Sequence, residues 1–279
     1  MKKKTQLFSD ELMGYIKEGE KQKTRLFEIA DEIVSYTSKD NFPHFYIQSS
    51  PGMAKSYTLK NKFDKHNKNV TIIGAGVTMA QFGIMLALIV KDLKPKDTHY
   101  IYFDDCESLL YKPDDLNMFK NLLRDERCYS YMKNMNNLLN NTDDAGRRAI
   151  EHFTQKGGGF KVPTDNIVFV MASNIKLPSS DEVRTSRDSH LSAIADRFNV
   201  RDFTMPPTTQ WGYITTMILN SPYIPKGVPM SIRVEACQFF YDNWSDLKRR
   251  TIRQVEQMLE TYVKNPKNYK TKWEQEFKK

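Results

Sequence analysis

Residues 49–56 have the residue types and spacing that suit phosphate binding. They read Ser-Ser-Pro-Gly-Met-Ala-Lys-Ser and follow an apolar run at 45–47 that predicts a buried strand. The spacing fits the phosphate-loop pattern G-x-x-x-x-G-K-[ST], with Ser49 and Ala54 where the pattern has glycine. A strand, a tight loop and a helix N-terminus cradle phosphate because backbone N–H groups and the helix dipole converge on the anion. The alternative is an ordinary Pro-Gly turn before a helix.

The loop residues predict ATP and Mg²⁺ as cofactors. Lys55 would contact the β- and γ-phosphates as a point charge, and Ser56 would be a ligand of Mg²⁺. The predicted nucleotide-binding residues are Ser49, Ser50, Pro51, Gly52, Met53, Ala54, Lys55, Ser56 and Tyr57.

Two carboxylates follow a second apolar run. Residues 100–103 predict a buried strand, which leads directly into Asp104 and Asp105. Acidic residues at the carboxyl end of such a strand face the crevice where α/β proteins bind ligands. We expect Asp104 to hold Mg²⁺ and Asp105 to orient the attacking water, with Glu107 as the alternative for the second role. An exposed Asp-Asp turn is the other interpretation.

A further apolar run, 166–172, ends in Ser173 and Asn174. The amide of Asn174 would lie beside the carboxylates, where it can hold the attacking water and sense the γ-phosphate. Runs at 69–76 and 199–205 predict two more strands, and helical patterns separate the strands along the chain. The sequence therefore predicts an α/β fold with a five-stranded parallel sheet flanked by helices, followed by a small helical lid domain.

Composition narrows the class of protein. The chain has 279 residues, 39% hydrophobic and 27% charged, and three cysteines without metal-like spacing. It contains no apolar run of the roughly 18 residues that a membrane span needs and no secretory signal, so we expect no membrane partner and a cytoplasmic location, in a bacterium or a phage-infected cell. The net charge of +8 favours an anionic partner, and nucleic acid explains that charge better than a nucleotide does.

The composition changes along the chain and predicts four parts: a helical extension at 1–40, a nucleotide-binding core at 41–206, a helical lid at 207–264 and a basic tail at 265–279. The extension would contain two helices joined at a charged interval, 17–25, and would either cap the core or dock a partner or DNA. The tail would be exposed.

Residues 128–166 are polar and predict irregular structure. Within them, a glycine-rich loop at 154–163 contains Lys156 and Lys161, which are the candidates for DNA contact. A solvated turn is the alternative.

The motifs together resemble those of AAA+ ATPases over residues 42–260. The sequence Pro-Gly-Met-Ala-Lys-Ser at 51–56 is similar to the loop of minichromosome-maintenance helicases and MoxR-type ATPases, and 104–110 is similar to a segment of small phage-encoded AAA+ proteins. The resemblance implies that Asn174 is sensor 1, that Arg253 on a lid helix is sensor 2 and touches the γ-phosphate, and that Arg197 is an arginine finger. Arg184 and Arg187 are the reserve candidates for the finger.

Some positions depart from the family pattern. Asp105 stands where the family has a catalytic glutamate, Ser49 replaces the first glycine of the loop, and Asp196 replaces a serine next to the finger.

The resemblance implies a homo-oligomer, because an arginine finger acts on the neighbouring subunit's nucleotide. Head-to-tail contacts of this kind give closed rings or open spirals. Three functions follow: a DNA-linked motor or loader in replication or remodelling, a MoxR-type protein-remodelling ATPase with Phe160 as an aromatic pore residue, or a nucleotide-gated scaffold with slow hydrolysis. A protein partner could bind the N-terminal helices.

Overall fold

The computed structural model describes residues 8–41, 43–111, 113–123, 127–131, 135–155, 158–220, 224–225 and 227–279. The chain forms two compact units. The helical unit contains the described residues up to Ile29, together with Ser50–Thr58 and Thr204–Lys279. The sheet unit contains Ala30–Ser49 and Leu59–Phe203. No helix in the described ranges has the length and apolar character that crossing a membrane requires.

Five parallel strands form the main sheet: β1 (Phe45–Gln48), β2 (Val70–Ile73), β3 (His99–Asp104), β6 (Ile167–Ser173) and β7 (Asn199–Asp202). Their order across the sheet is β2-β3-β6-β1-β7. The prediction of a five-stranded parallel sheet is confirmed. The apolar runs predicted it because a parallel sheet is covered on both faces, and β1 and β6 are buried along their whole length.

The sheet order places a topological switch point between β1 and β6. The connection that leaves β1 leads toward one edge of the sheet, to β2, whereas the connection that leaves β6 leads toward the other edge, to β7. With right-handed crossovers, these two connections lie on opposite faces of the sheet. Ligands of open α/β sheets bind in the crevice at such a point, outside the carboxyl ends of the strands.

The remaining elements of this region include two strands, β4 (Cys128–Tyr131) and β5 (Phe160–Pro163), which pair antiparallel in a second, small sheet. The helices are α2 (Lys55–Lys65), α3 (Met79–Asp92), α4 (Pro113–Leu122), α5 (Met135–Asn140), α6 (Asp144–Phe153) and α7 (Ser186–Ala195).

The prediction of irregular structure at 128–166 is therefore wrong for the described part of that segment. This polar segment contains two features that favour regular structure, a helix cap and an alternation of buried residues. Asp143 caps α6 by accepting a hydrogen bond from the Gly146 N–H, at 2.7 Å. Alternate residues of the strand pair, Tyr129, Phe160 and Val162, are buried.

The helical unit contains most of α1 (Asp10–Ser35) together with α8 (Pro207–Asn220), α9 (Met230–Asp242), α10 (Ile252–Lys264) and α11 (Tyr269–Phe277). The prediction of a joint at 17–25 is wrong, since α1 is one helix of 26 residues. The charged side chains of that interval are largely exposed, while Ile16, Gly19 and Leu26 keep a helical spacing on the buried side. Gly19 is needed there because a Cβ atom would lie 2.2 Å from the carbonyl carbon of Gly212 in α8.

Nine of the last fifteen residues form α11, so the prediction of an exposed tail is wrong for the aromatic side chains of that helix. Trp273 is 1% exposed, and its indole N–H donates to the Met258 carbonyl at 2.8 Å. Burial of Trp273 and Phe277 joins α11 to the other helices of the helical unit, whereas the lysines of this segment face solvent or form surface ion pairs.

Candidate nucleotide-binding site

The predicted phosphate loop connects the end of β1 to the start of α2. β1 ends at Gln48, and α2 begins at Lys55. Between them, Gly52 and Ala54 both adopt left-handed backbone angles, with φ of 71° and 58°. Alternation of such residues turns consecutive N–H groups toward one point, which suits an anion. Ala54 adopts the conformation although it has a Cβ atom, at a cost of about 1–2 kcal/mol.

Helices of the same unit hold the main chain of the loop. The Tyr213 hydroxyl of α8 donates to the Met53 carbonyl at 2.8 Å, and Met53 is buried. The first N–H of α10, from Ile252, points at the Gly52 carbonyl at 3.4 Å. A Cβ atom at Gly52 would lie 2.5 Å from the Cβ atom of Thr251, so only glycine fits at this close approach. The shape of the loop is thus set by packing within the helical unit.

The side chains of the loop differ in exposure. Lys55 is only 6% exposed, and its ammonium group lies 3.4 Å from the Ser50 carbonyl of the same loop. Ser56, in the first turn of α2, is half-buried, and Tyr57 is 41% exposed. The lysine is therefore folded against the main chain of the loop.

Arg253 lies in the first turn of α10 and is exposed. The helix begins at Ile252 because the Thr251 hydroxyl accepts a hydrogen bond from the Gln254 N–H, at 3.2 Å. The same two residues, Thr251 and Ile252, contact Gly52. The structure thus brings the start of the predicted sensor 2 helix to the phosphate loop.

Asp104 is the last residue of β3, and both of its carboxylate oxygens have hydrogen-bond donors. Lys60 of α2 donates to Oδ2 at 2.8 Å, and the Tyr102 hydroxyl donates to Oδ1 at 3.0 Å. The Asp104 side chain is 17% exposed and that of Lys60 is 40% exposed. Lys60 and Asp104 therefore form an ion pair within the sheet unit.

The two residues after Asp104 differ in exposure. Asp105 is exposed, with a left-handed φ of 55°, and its carboxylate accepts no hydrogen bond from the residues that the structure describes. Cys106 is buried and donates to the Ile73 and Gly74 carbonyls, both at 3.1 Å. Burial raises the pKa of the Cys106 thiol to about 12, so the thiol stays protonated and holds the turn.

Glu107 reaches across to the end of β6. Its Oε1 accepts hydrogen bonds from the Asn174 N–H at 2.8 Å and from the Ser173 hydroxyl at 3.3 Å. Asn174 itself is exposed. The structure therefore brings together Asp104, Asp105, Glu107 and Asn174 at the carboxyl edge of the sheet, as the sequence predicts. It also separates the two candidate bases, since Glu107 is tied to β6 and Asp105 is not.

The three arginines proposed as fingers all lie in or next to α7 and the preceding turn. Arg197 is half-buried, and its guanidinium donates to the Ala193 carbonyl. Arg187 is exposed and lies 4.5 Å from the centre of the Tyr111 ring. Arg184 is exposed and donates to the carbonyls of the turn that precedes it.

The predicted loop at 154–163 overlaps the strand β5. Lys156 lies outside the described residues, and Lys161 is exposed on β5. Phe160 is fully buried, with its ring 5.7 Å from that of Tyr129 and 5.9 Å from that of Tyr131. The prediction of Phe160 as an exposed pore residue is therefore wrong, because its ring fills the core between the strand pair and the sheet unit's helices.

Sequence reasoning missed three residues that shape these regions: Lys60, Tyr213 and Thr251. Thr251 had a visible signal, since Thr-Ile-Arg-Gln at 251–254 matches the T-x-x-Q capping pattern. Lys60 and Tyr213 had none, because their partners lie 44 and 160 residues away in the chain. In the described ranges, no group of three His, Cys, Asp or Glu side chains is arranged to hold a metal ion.

Comparison with known proteins adds little to this geometry. No family model matches the sequence. No curated protein matches it either. Among solved structures, a RuvB mutant from Thermotoga maritima aligns with 86% of this chain at 10% identity and a TM-score of 0.40. The aligned region spans 64% of the length of that protein. The α/β assignment rests on the parallel sheet and its flanking helices.

Proposed function

We propose that this chain is a Mg²⁺-dependent ATPase of the AAA+ type. The observation that supports it most is the phosphate loop. The buried strand β1 is followed by a six-residue loop with two left-handed positions, and α2 begins directly after the loop, at Lys55 and Ser56. Such a loop presents backbone N–H groups and the positive end of the α2 dipole to phosphate. Lys55 contacts the β- and γ-phosphates, and residues 49–57 surround them.

Mg²⁺ suits the oxygen donors available. Mg²⁺ prefers hard oxygen ligands and uses one or two protein groups, with water and phosphate oxygens completing its shell. We assign it to the hydroxyl of Ser56 and the carboxylate of Asp104. The Lys60 ammonium would then share the Asp104 carboxylate with the metal or move aside from it.

Asp105 orients the attacking water, and Glu107 positions Asn174. The exposed Asp105 carboxylate is available to accept a proton or a hydrogen bond, whereas the Oε1 atom of Glu107 already accepts two. Asn174 senses the γ-phosphate, and Arg253 contacts it from the first turn of α10. These assignments distribute charge around the transferred phosphoryl group, which is how such enzymes accelerate hydrolysis.

The active form is a homo-oligomer, a ring or spiral, in which Arg197 serves the nucleotide of a neighbouring subunit. An arginine finger contributes about 10³ to 10⁵ in rate, so an isolated subunit would hydrolyse ATP slowly. Arg184 and Arg187 remain the alternatives, and both are exposed.

The substrate that fits best is DNA, in replication or remodelling. The chain has a net charge of +8, and Lys161 is exposed on a short strand. The alternative, a protein-remodelling ATPase, has no specific support, because the buried Phe160 cannot serve as a pore residue.

The test measures ATP hydrolysis and DNA binding by the purified chain. We expect hydrolysis to rise when DNA is added, and DNA binding to tighten with a non-hydrolysable ATP analogue. Lys161→Ala should weaken that tighter binding and lower the salt slope by about one unit. Arg197→Ala should still bind ATP, and it should lose only the tightening of DNA binding that the nucleotide causes. Hydrolysis that ignores DNA, together with DNA affinity that ignores nucleotide, would contradict the DNA motor and favour protein remodelling.

A further inference from the structure

The positive charge of this protein is distributed unevenly between its two units. The sequence segments of the helical unit contain 20 Lys and Arg against 12 Asp and Glu, whereas those of the sheet unit contain 22 of each. The whole net charge of +8 therefore belongs to the helical unit. Lys161 belongs to the neutral sheet unit, so it does not explain this excess.

Part of the excess is concentrated where two distant segments of the chain pair. Leu247 and Lys278 form an antiparallel bridge. The Lys248 N–H donates to the Phe277 carbonyl at 3.0 Å, and the Lys279 N–H donates to the Asp246 carbonyl at 2.8 Å. The side chains of Leu247 and Phe277 are buried, which holds the two paired segments in place. The pairing places two basic sequences side by side. We call Lys248, Arg249, Arg250, Lys278 and Lys279 the basic surface.

Four of these five side chains are exposed, and the fifth, Lys278, is 28% exposed. Three carboxylates accompany them. Glu276 lies next to Phe277; its carbonyl accepts from the Lys248 ammonium at 2.7 Å, and its carboxylate accepts from the Thr261 hydroxyl at 3.4 Å. Glu274 pairs with Lys278 at 2.8 Å, and the exposed Asp246 accepts from the Ser245 hydroxyl at 3.2 Å. The surface therefore keeps an excess of positive charge after its own ion pairs are counted.

Arg250 is held in place by its surroundings. Its Nε donates to the Trp244 carbonyl at 2.8 Å, and its guanidinium lies 5.6 Å from the centre of the Trp244 ring. Trp244 is half-exposed. Proteins that bind single-stranded nucleic acid combine arginine with aromatic rings, because arginine contacts the phosphates and the rings stack on the bases.

We propose that the basic surface binds the phosphodiester backbone of a nucleic-acid strand. The inference shares its partner class with the proposed function, but it needs neither ATP nor assembly. Its main-chain pairing fixes the backbone positions of the five residues relative to each other before any ligand arrives. A preformed array loses less conformational entropy on binding than scattered lysines do.

The experiment compares two double variants that remove the same charge from the helical unit. Arg249→Gln with Lys279→Gln removes one cation from each segment of the basic surface. Lys264→Gln with Lys267→Gln removes two exposed lysines at the end of α10 and just beyond it. Binding of a fluorescent single-stranded oligonucleotide is measured by anisotropy over a range of salt concentrations, without nucleotide, and repeated with duplex DNA and with anionic lipid vesicles.

We expect the first pair to weaken oligonucleotide binding about tenfold and to reduce the salt slope by about 1.4, which is two contacts at about 0.7 each. The control pair should change affinity by less than about twofold. Thermal unfolding of both variants should match that of the wild type, since all four side chains are exposed. As a second readout, bound oligonucleotide should protect Lys248 and Lys279 of the wild type from acylation.

Equal losses for both pairs would overturn the proposal, because they would indicate diffuse attraction to the whole unit. It would also be overturned if the wild type bound vesicles and no nucleic acid. These outcomes do not depend on ATP hydrolysis. A chain that bound nucleic acid through the basic surface but lacked ATPase activity would contradict the proposed function and leave this inference standing.

Discussion

The phosphate loop and the acidic segment at 104–107 both contain a left-handed turn, but different kinds of contact hold the two turns. Each contains a non-glycine residue with a left-handed backbone, Ala54 with φ of 58° and Asp105 with φ of 55°. Main-chain contacts hold the loop, through the carbonyls of Gly52 and Met53. Side-chain contacts hold the acidic segment, through Asp104, Cys106 and Glu107. Consequently, the shape of the loop depends on the close packing at Gly52 and Met53, whereas a changed side chain in the acidic segment alters both chemistry and position, except at Asp105.

Asp105→Asn should give the largest effect, because it should remove ATP hydrolysis in the acidic segment while the phosphate loop still binds ATP. The Asp105 carboxylate has no hydrogen-bond partner in the described part of the chain, so the variant should keep its structure and its affinity for ATP. We expect ATP hydrolysis to fall by about 10² or more, the usual scale for loss of a positioned base. Single-turnover hydrolysis and ATP titration measure the two quantities. If Glu107→Gln stops turnover and Asp105→Asn does not, the roles of the two carboxylates are exchanged.

Acid should destabilise the sheet unit through His44. His44 is buried and accepts a hydrogen bond from the Phe169 N–H at 3.1 Å. Burial, helped by the charge of Arg127, lowers the pKa of His44 to about 3. Below a pH of about 6.5 the unfolded chain binds a proton that the folded chain refuses, so stability falls as pH falls toward 3.

The expected loss from His44 is about 2 kcal/mol at pH 5, at 1.36 kcal/mol for each pH unit below 6.5. His44→Asn keeps an acceptor for the Phe169 N–H and cannot titrate in this range. Unfolding by denaturant at pH 7.5 and at pH 5 should therefore show a smaller difference for the variant. An identical pH dependence for the variant and the wild type would refute the role of His44.

Tyr213→Phe should give the smallest effect, and it tests the contact that holds the loop. The variant removes the hydrogen bond to the Met53 carbonyl, which is worth about 1 kcal/mol. We expect unfolding free energy to fall by about that amount and ATP affinity to fall by up to about fivefold. Tyr241→Phe is the matched control, since the Tyr241 hydroxyl forms no hydrogen bond with the described residues. Equal ATP affinity in both variants would show that Tyr213 does not support the loop.

The sheet could be predicted from the sequence because its central strands are buried on both faces. Such strands appear as short apolar runs, and the runs at 45–47, 100–103 and 166–172 correspond to β1, β3 and β6. The candidate site followed from the same runs, since polar residues directly after a strand must lie at its carboxyl edge. Asp104 and Asn174 were placed correctly for this reason.

The contacts that hold those residues could not be predicted. The pairing of Lys60 with Asp104, and of Tyr213 with Met53, depends on which helix faces lie together, and local pattern does not encode that. Two other errors share a cause. The charged interval of α1 and the glycine-rich run before Phe160 look solvated in sequence, yet Gly19 and Phe160 are both buried.

The central claim is that residues 49–57 bind nucleotide through Lys55, and calorimetric titration of ATP with Mg²⁺ tests it most directly. Lys55→Ala is compared with Lys65→Ala, which removes an exposed lysine from the other end of α2. We predict that the wild type and Lys65→Ala bind ATP with equal affinity, and that Lys55→Ala binds it at least about 10²-fold more weakly because the phosphates lose their paired charge. Unchanged affinity in Lys55→Ala, or no binding by the wild type, would contradict the phosphate-loop assignment.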